Sequence, residues 1–136
     1  MTFALHPQLE ADTLLIGDLP LCRVLLMNNA NFPWLILVPR QPNLRELFEL
    51  EPNEYAELTQ EIRSIAEKFS AHTGAHKMNI AALGNIVPQL HIHIIARFEN
   101  DTAWPAPVWN SGVATRPYKS AESETLIRNI RNITNL

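Results

Sequence analysis

The sequence predicts an α+β domain built on a largely antiparallel sheet. Three observations carry that expectation. Short runs rich in Leu, Ile and Val stand between turn signals, at a length that suits strands. One long segment after Glu51 repeats its apolar residues at spacings of three and four, the period of an α-helix. A shorter segment near the C-terminus does the same.

Taken in order, residues 5–11 are expected to form a short helix, and 14–19 is a short apolar stretch closed by Gly17-Asp18. Residues 22–27 (Cys-Arg-Val-Leu-Leu-Met) read as a strand. Asn28 to Pro33 is a turn, since Asn tolerates left-handed backbone and Pro ends a ladder. Residues 34–38 (Trp-Leu-Ile-Leu-Val) make a second strand, and the two are expected to form an antiparallel hairpin. A helical turn is expected within 42–50. The long helix starts at Glu51-Pro52-Asn53-Glu54, with Pro in the first turn and carboxylates at the positive end of the helix dipole. Tyr55, Leu58, Ile62, Ile65 and Phe69 form its apolar stripe, Glu61 falls with the polar face, and the helix should end near His72, before Gly74. Residues 77–83 and 89–98 are expected strands, 100–118 an ordered loop rich in Pro and Trp, and 122–133 a terminal helix.

A chain of 136 residues suits a single domain, 1–136, in which 100–136 is a C-terminal loop and helix extension. The net charge of -3 argues against a general nucleic-acid binder, which needs a basic face. It leaves room for a small phosphorylated ligand, for which a few local donors suffice. A lone cysteine, Cys22, permits no internal disulfide. No apolar run is long enough to cross a bilayer and no secretory signal is visible, so a cytoplasmic location is expected.

The chemistry concentrates in Gln89-Leu90-His91-Ile92-His93-Ile94-Ile95. In an extended chain Gln89, His91 and His93 point to one face, while Leu90, Ile92 and Ile94 point to the other. The apolar side would lie on the helix stripe, and the polar side would face a cleft. Two imidazoles about 6–7 Å apart could act together, one attacking while the other donates a proton or hydrogen bond.

This segment resembles the signature of the histidine-triad (HIT) family, His-x-His-x-His followed by apolar residues. Gly84-Asn85-Ile86-Val87-Pro88 is similar to the loop before that signature, and Leu35 to Arg40 to the apolar strand that ends in Pro and a basic residue. The resemblance implies a HIT-like α+β fold: a mainly antiparallel five-stranded sheet, one long helix packed on it, and a C-terminal helix. It further implies a nucleotide hydrolase or nucleotidyltransferase. His91 would attack the α-phosphorus, aimed by the backbone carbonyl of Gln89, and His93 would donate to a phosphate oxygen or the leaving group. The bond broken would be a phosphoanhydride or phosphoramidate. Asn28, Asn79, Asn85 and Arg97 are the expected substrate contacts, a purine nucleotide or dinucleoside polyphosphate-like molecule the expected substrate, and a homodimer the expected assembly, with neither metal nor cofactor. Gln89 replaces the first triad histidine; its amide can donate to a phosphate but cannot carry charge. Ile86 replaces a hydroxyl residue, and Trp34 stands where relatives often carry a further histidine.

Two other readings follow from the residues: a nucleotide-binding module with little catalysis, or a metal-binding protein using His91 and His93. His72 and His76 read as solvated helix-end residues, and His6 is given no role. Arg97 could either contact phosphate or pair with a carboxylate. The Trp104–Trp109 segment reads as an apolar tail packing on the domain or a second subunit, or as an aromatic lid.

Overall fold

The computed structural model describes residues 2–136. Among them the chain folds into three α-helices and a five-stranded antiparallel sheet in the order β1-β2-β3-β5-β4. The strands are β1 (Thr13–Asp18), β2 (Cys22–Met27), β3 (Trp34–Pro39), β4 (Lys77–Ala81) and β5 (Ile92–Arg97). The helices are α1 (Pro7–Asp12), α2 (Pro52–Thr73) and α3 (Ser120–Thr134). This is the HIT-like architecture expected, with α2 as the long helix on the sheet and α3 as the terminal one.

Local chemistry sets most boundaries. The β2–β3 hairpin pairs Leu26 with Leu35 and Cys22 with Pro39. Pro52 occupies the first turn of α2, and Glu54 accepts the Glu51 N–H at 3.1 Å. The helix ends at Gly74, whose φ of 69° is the left-handed conformation glycine adopts without steric cost. The turn expected within 42–50 is a single 3-10 turn, Leu47–Glu49.

The sheet separates two apolar layers. On one face Val24, Leu26, Leu35, Leu37, Ile92 and Ile94 pack with Leu58, Ile65 and Phe69 of α2 and Ile130 of α3. On the other, Leu25, Trp34, Ile36 and Ile95 pack with Leu9 of α1 and with Val108 of the 100–118 loop. The central strands are therefore buried on both faces.

Three expectations are corrected. Glu61 is not on the solvated face of α2: it is 8% exposed, and its carboxylate accepts the backbone N–H groups of Leu21 and Cys22, each at 2.8 Å. It thereby satisfies two backbone donors at the start of β2. Tyr55, placed on the apolar stripe, is exposed in the first turn. Finally, β5 begins at Ile92 rather than at Gln89, and β4 ends at Ala81. The Leu90 N–H leaves the ladder to donate to the Leu44 carbonyl at 2.8 Å. Residues 82–91 thus form a connection between two sheet strands, and the catalytic candidates sit at its end.

Candidate active site

His91 is the last residue before β5 and is 5% exposed. Its Nδ1–H donates to the Gln89 carbonyl at 2.7 Å. That bond fixes the tautomer and leaves the Nε2 lone pair free of the proton. Burial holds the His91 pKa below the usual imidazole value, which keeps the ring neutral and nucleophilic. A cleft of about 310 Å³ opens beside it, bordered by Arg45, Glu46, Phe48, Gly84, Asn85 and Gln89. Gly84 lies close beside the imidazole. A Cβ there would come within 3.2 Å of His91 Cε1 and 2.7 Å of the Val87 carbonyl oxygen, so no side chain fits without moving the loop.

His93 projects from β5 onto the same face of the sheet as Trp34 and Ile36, and its ring centroid lies 4.8 Å from that of His91. The two imidazoles are therefore adjacent, as the alternation required. The hydrogen bonds of His93, however, run to the protein itself. Trp34 Nε1–H donates to His93 Nδ1 at 3.1 Å, so the His93 proton sits on Nε2, which donates to the Leu83 carbonyl at 3.0 Å. Both ring nitrogens are engaged, neither by the cleft. Burial pushes the pKa down to about 4, so the ring is neutral near pH 7. Trp109 packs edge-on to both His93 and Trp34, at 4.9 and 5.8 Å between centroids. Trp109 thus packs on its own domain beside His93, and Trp104 packs farther off, against His76 and Arg97.

The Gln89 amide is engaged within the protein as well. Its Oε1 accepts the His6 N–H and its Nε2 donates to the Ala4 carbonyl, both at 2.9 Å. The amide thus clamps an N-terminal arm. Arg97 takes the second of its two expected roles. It is 1% exposed and donates through Nε and Nη2 to Asp101 at 2.8 and 3.1 Å, and through Nη1 to Asn79 Oδ1 at 3.0 Å. The Phe32 and Trp104 rings cover its guanidinium at 5.5 and 5.6 Å. Arg97 thus links Asn79 to Asp101 inside the fold. Asn28 accepts the Tyr118 N–H at 2.9 Å and borders a different hollow, with Asn29, Trp34 and Pro117. Of the four expected substrate contacts only Asn85 borders the His91 cleft.

Two residues given no role in the sequence lie at the site. Arg45 is exposed on the cleft rim. His6 reaches the site through Gln89, whose side chain accepts the His6 N–H and whose backbone carbonyl accepts the His91 Nδ1–H. His6 borders a second hollow that shares Arg45, Pro88 and Gln89 with the first. A histidine before a proline carries no local signal of this; only the contacts made across the fold reveal it. His76 pairs with Glu99 at 3.5 Å and stacks edge-on to Trp104, away from the triad. Among the described residues no three His, Cys, Asp or Glu side chains converge as metal ligands, and no helix is long and apolar enough to cross a membrane.

The HIT domain model matches residues 8–100. No curated protein matches the sequence. Three solved structures are similar over nearly the whole length. A histidine triad protein from Bradyrhizobium japonicum is 44% identical, with a TM-score of 0.94, covering 97% of this chain and 98% of that one. One from Sinorhizobium meliloti 1021 is 46% identical, with a TM-score of 0.93 and 96% of each chain covered. One from Marinobacter aquaeolei VT8 is 41% identical, with a TM-score of 0.94, covering 98% and 96%. The five-stranded sheet, the paired imidazoles at the mouth of β5 and these matches agree, and the chain belongs to the histidine-triad family.

Proposed function

We propose that the protein is a hydrolase or nucleotidyltransferase that acts at the α-phosphate of a nucleotide through a nucleotidyl-His91 intermediate. One observation carries this reading: the 2.7 Å bond from His91 Nδ1–H to the Gln89 carbonyl leaves Nε2 as a bare nucleophile beside a cleft. The Nε2 lone pair attacks phosphorus, and an N–P bond forms. The bond to the leaving group breaks, and its electron pair departs with an amine, a sulfate or a second nucleotide. Water or another acceptor then attacks the same phosphorus, loses its proton, and returns the lone pair to His91. Asn85 and Arg45, both on the cleft rim, are the contacts best disposed to hold the phosphate. His93 is a positioning residue: through Trp34 and the Leu83 carbonyl it ties β3 to the 82–91 connection.

A purine nucleotide or dinucleoside polyphosphate is the proposed substrate class, and a phosphoramidate or phosphoanhydride the bond cleaved. A homodimer in the cytoplasm is the proposed setting; exposed Ile80 and Leu83, on and just beyond the edge strand β4, suit a partner there. Intact-mass spectrometry after mixing with adenosine 5′-phosphoramidate tests the chemistry. The expected result is an adenylyl adduct lost in His91→Ala. A second reading, a nucleotide-binding module with little turnover, draws support from the engagement of the Gln89 amide by the arm. Nucleotide binding without adduct or release of ammonia would favour it.

A further inference from the structure

The family signature has three histidines, and here the first is an amide. Gln89 nevertheless spends both amide groups on one object, the backbone of residues 4–6. These bonds join positions 83 and 85 residues apart in sequence, so the arm is held by tertiary contacts and not by local propensity. The residue so delivered is a histidine. His6 Nδ1 accepts the Gln8 N–H at 3.1 Å, which assigns the ring proton to Nε2. His6 lines a hollow next to the His91 cleft, and Arg45, Pro88 and Gln89 border both.

We propose that His6 is the second functional imidazole of the site, carried in by the N-terminal arm, latched by Gln89, and donating a hydrogen bond from Nε2–H to a phosphate oxygen of the nucleotide that His91 attacks. This inference rests on the proposed function. Within it the Gln89 replacement is an exchange of roles: the side chain at 89 gives up the phosphate and holds the backbone of the residue that takes it. His93 cannot supply that donor, since Trp34 and Leu83 engage both of its nitrogens. No proton is transferred, so the neutral ring suffices, and Nδ1 keeps its bond to Gln8 throughout.

The experiment compares wild type, His6→Ser, Gln89→Ala and the double variant, with single-turnover formation of the adenylyl adduct from adenosine 5′-phosphoramidate as the readout. Serine caps a helix as well as any residue, so His6→Ser keeps a group for the Gln8 N–H and removes only the ring. Its melting temperature is expected to match wild type, while adduct formation slows on the order of a hundredfold, the usual cost of one preorganised donor. Gln89→Ala is expected to slow it comparably, and the double variant no further, because latch and ring act as one unit. Wild-type rates in His6→Ser, with the adduct still dependent on His91, would overturn this inference and leave the proposed function standing. Multiplying losses in the double variant would overturn the latch. Absence of any His91 adduct in the wild type would instead overturn the proposed function itself.

Discussion

Replacing Asp101 by alanine is expected to destabilise the protein more than any single change at the cleft. The Arg97 and Asp101 side chains are 1% and 6% exposed, so the ion pair is effectively dry. Asp101 accepts from Arg97 Nε and Nη2, and also from the backbone N–H groups of Phe98, Ala103 and Trp104. Its removal leaves a buried guanidinium facing Asn79 Oδ1 and two aromatic rings, and frees three N–H groups. Stranding one member of a buried pair costs about 3–5 kcal/mol, a large share of the roughly 5–15 kcal/mol that holds a domain together. At about 4 °C per kcal/mol, the melting temperature should fall by roughly 12–20 °C. Urea unfolding followed by tryptophan fluorescence, with calorimetry alongside, measures both quantities. Arg97→Met combined with Asp101→Leu removes both charges at similar volume and should lose far less than Asp101→Ala alone. A loss below about 1 kcal/mol for Asp101→Ala would refute the reasoning. An equal loss in the double variant would move the cost to the three backbone N–H groups. The pH dependence has a definite sign. Burial raises the Asp101 pKa, but Arg97 and the three N–H donors outweigh it and hold the pKa at about 2, below the unfolded value near 3.8. The stabilisation is therefore complete above that unfolded value and disappears as pH falls through about 2.

Two further outcomes are expected. Gly84→Ala should leave the fold intact but slow adduct formation at least tenfold, because its Cβ would displace the Val87 carbonyl or the His91 ring; unchanged kinetics would show that the loop yields freely. His93, held at about 4 by burial, should show no NMR titration of its ring between pH 8 and 5. Because the unfolded ring takes up its proton near 6.5, stability should decline as pH falls from there to about 4, by about 3 kcal/mol from this group. A ring titration near 6.5 would contradict the buried Trp34–His93–Leu83 arrangement.

What the sequence revealed follows the range of the forces involved. The β2–β3 hairpin and α2 were legible because their ends are written locally, by Asn28 to Pro33, Pro39, Pro52 and Gly74. The adjacency of His91 and His93 followed from strand alternation alone. The start of β5 did not, because the Leu90 N–H finds its acceptor at Leu44. Glu61, the Asp101–Arg97–Asn79 network and the hold of Gln89 on the arm all depend on partners brought together by the finished fold. A carboxylate that serves two backbone N–H groups looks, in sequence, like any solvated glutamate. Arg97 is the instructive case: alternation placed it on the right face, and only its partners separated the two roles it was offered.

Cys22 has a practical bearing on all of these measurements. It is the chain's one cysteine, has no exposed surface, and burial beside the Glu61 carboxylate pushes its thiol well above the usual range, so it stays protonated and out of reach of reagents. A cysteine introduced at Phe48, which is 83% exposed on the cleft rim, would then take up a maleimide fluorophore alone. The native protein thus offers a ready labelling background, in which a single dye could report occupancy of the cleft in real time without any core substitution to silence it.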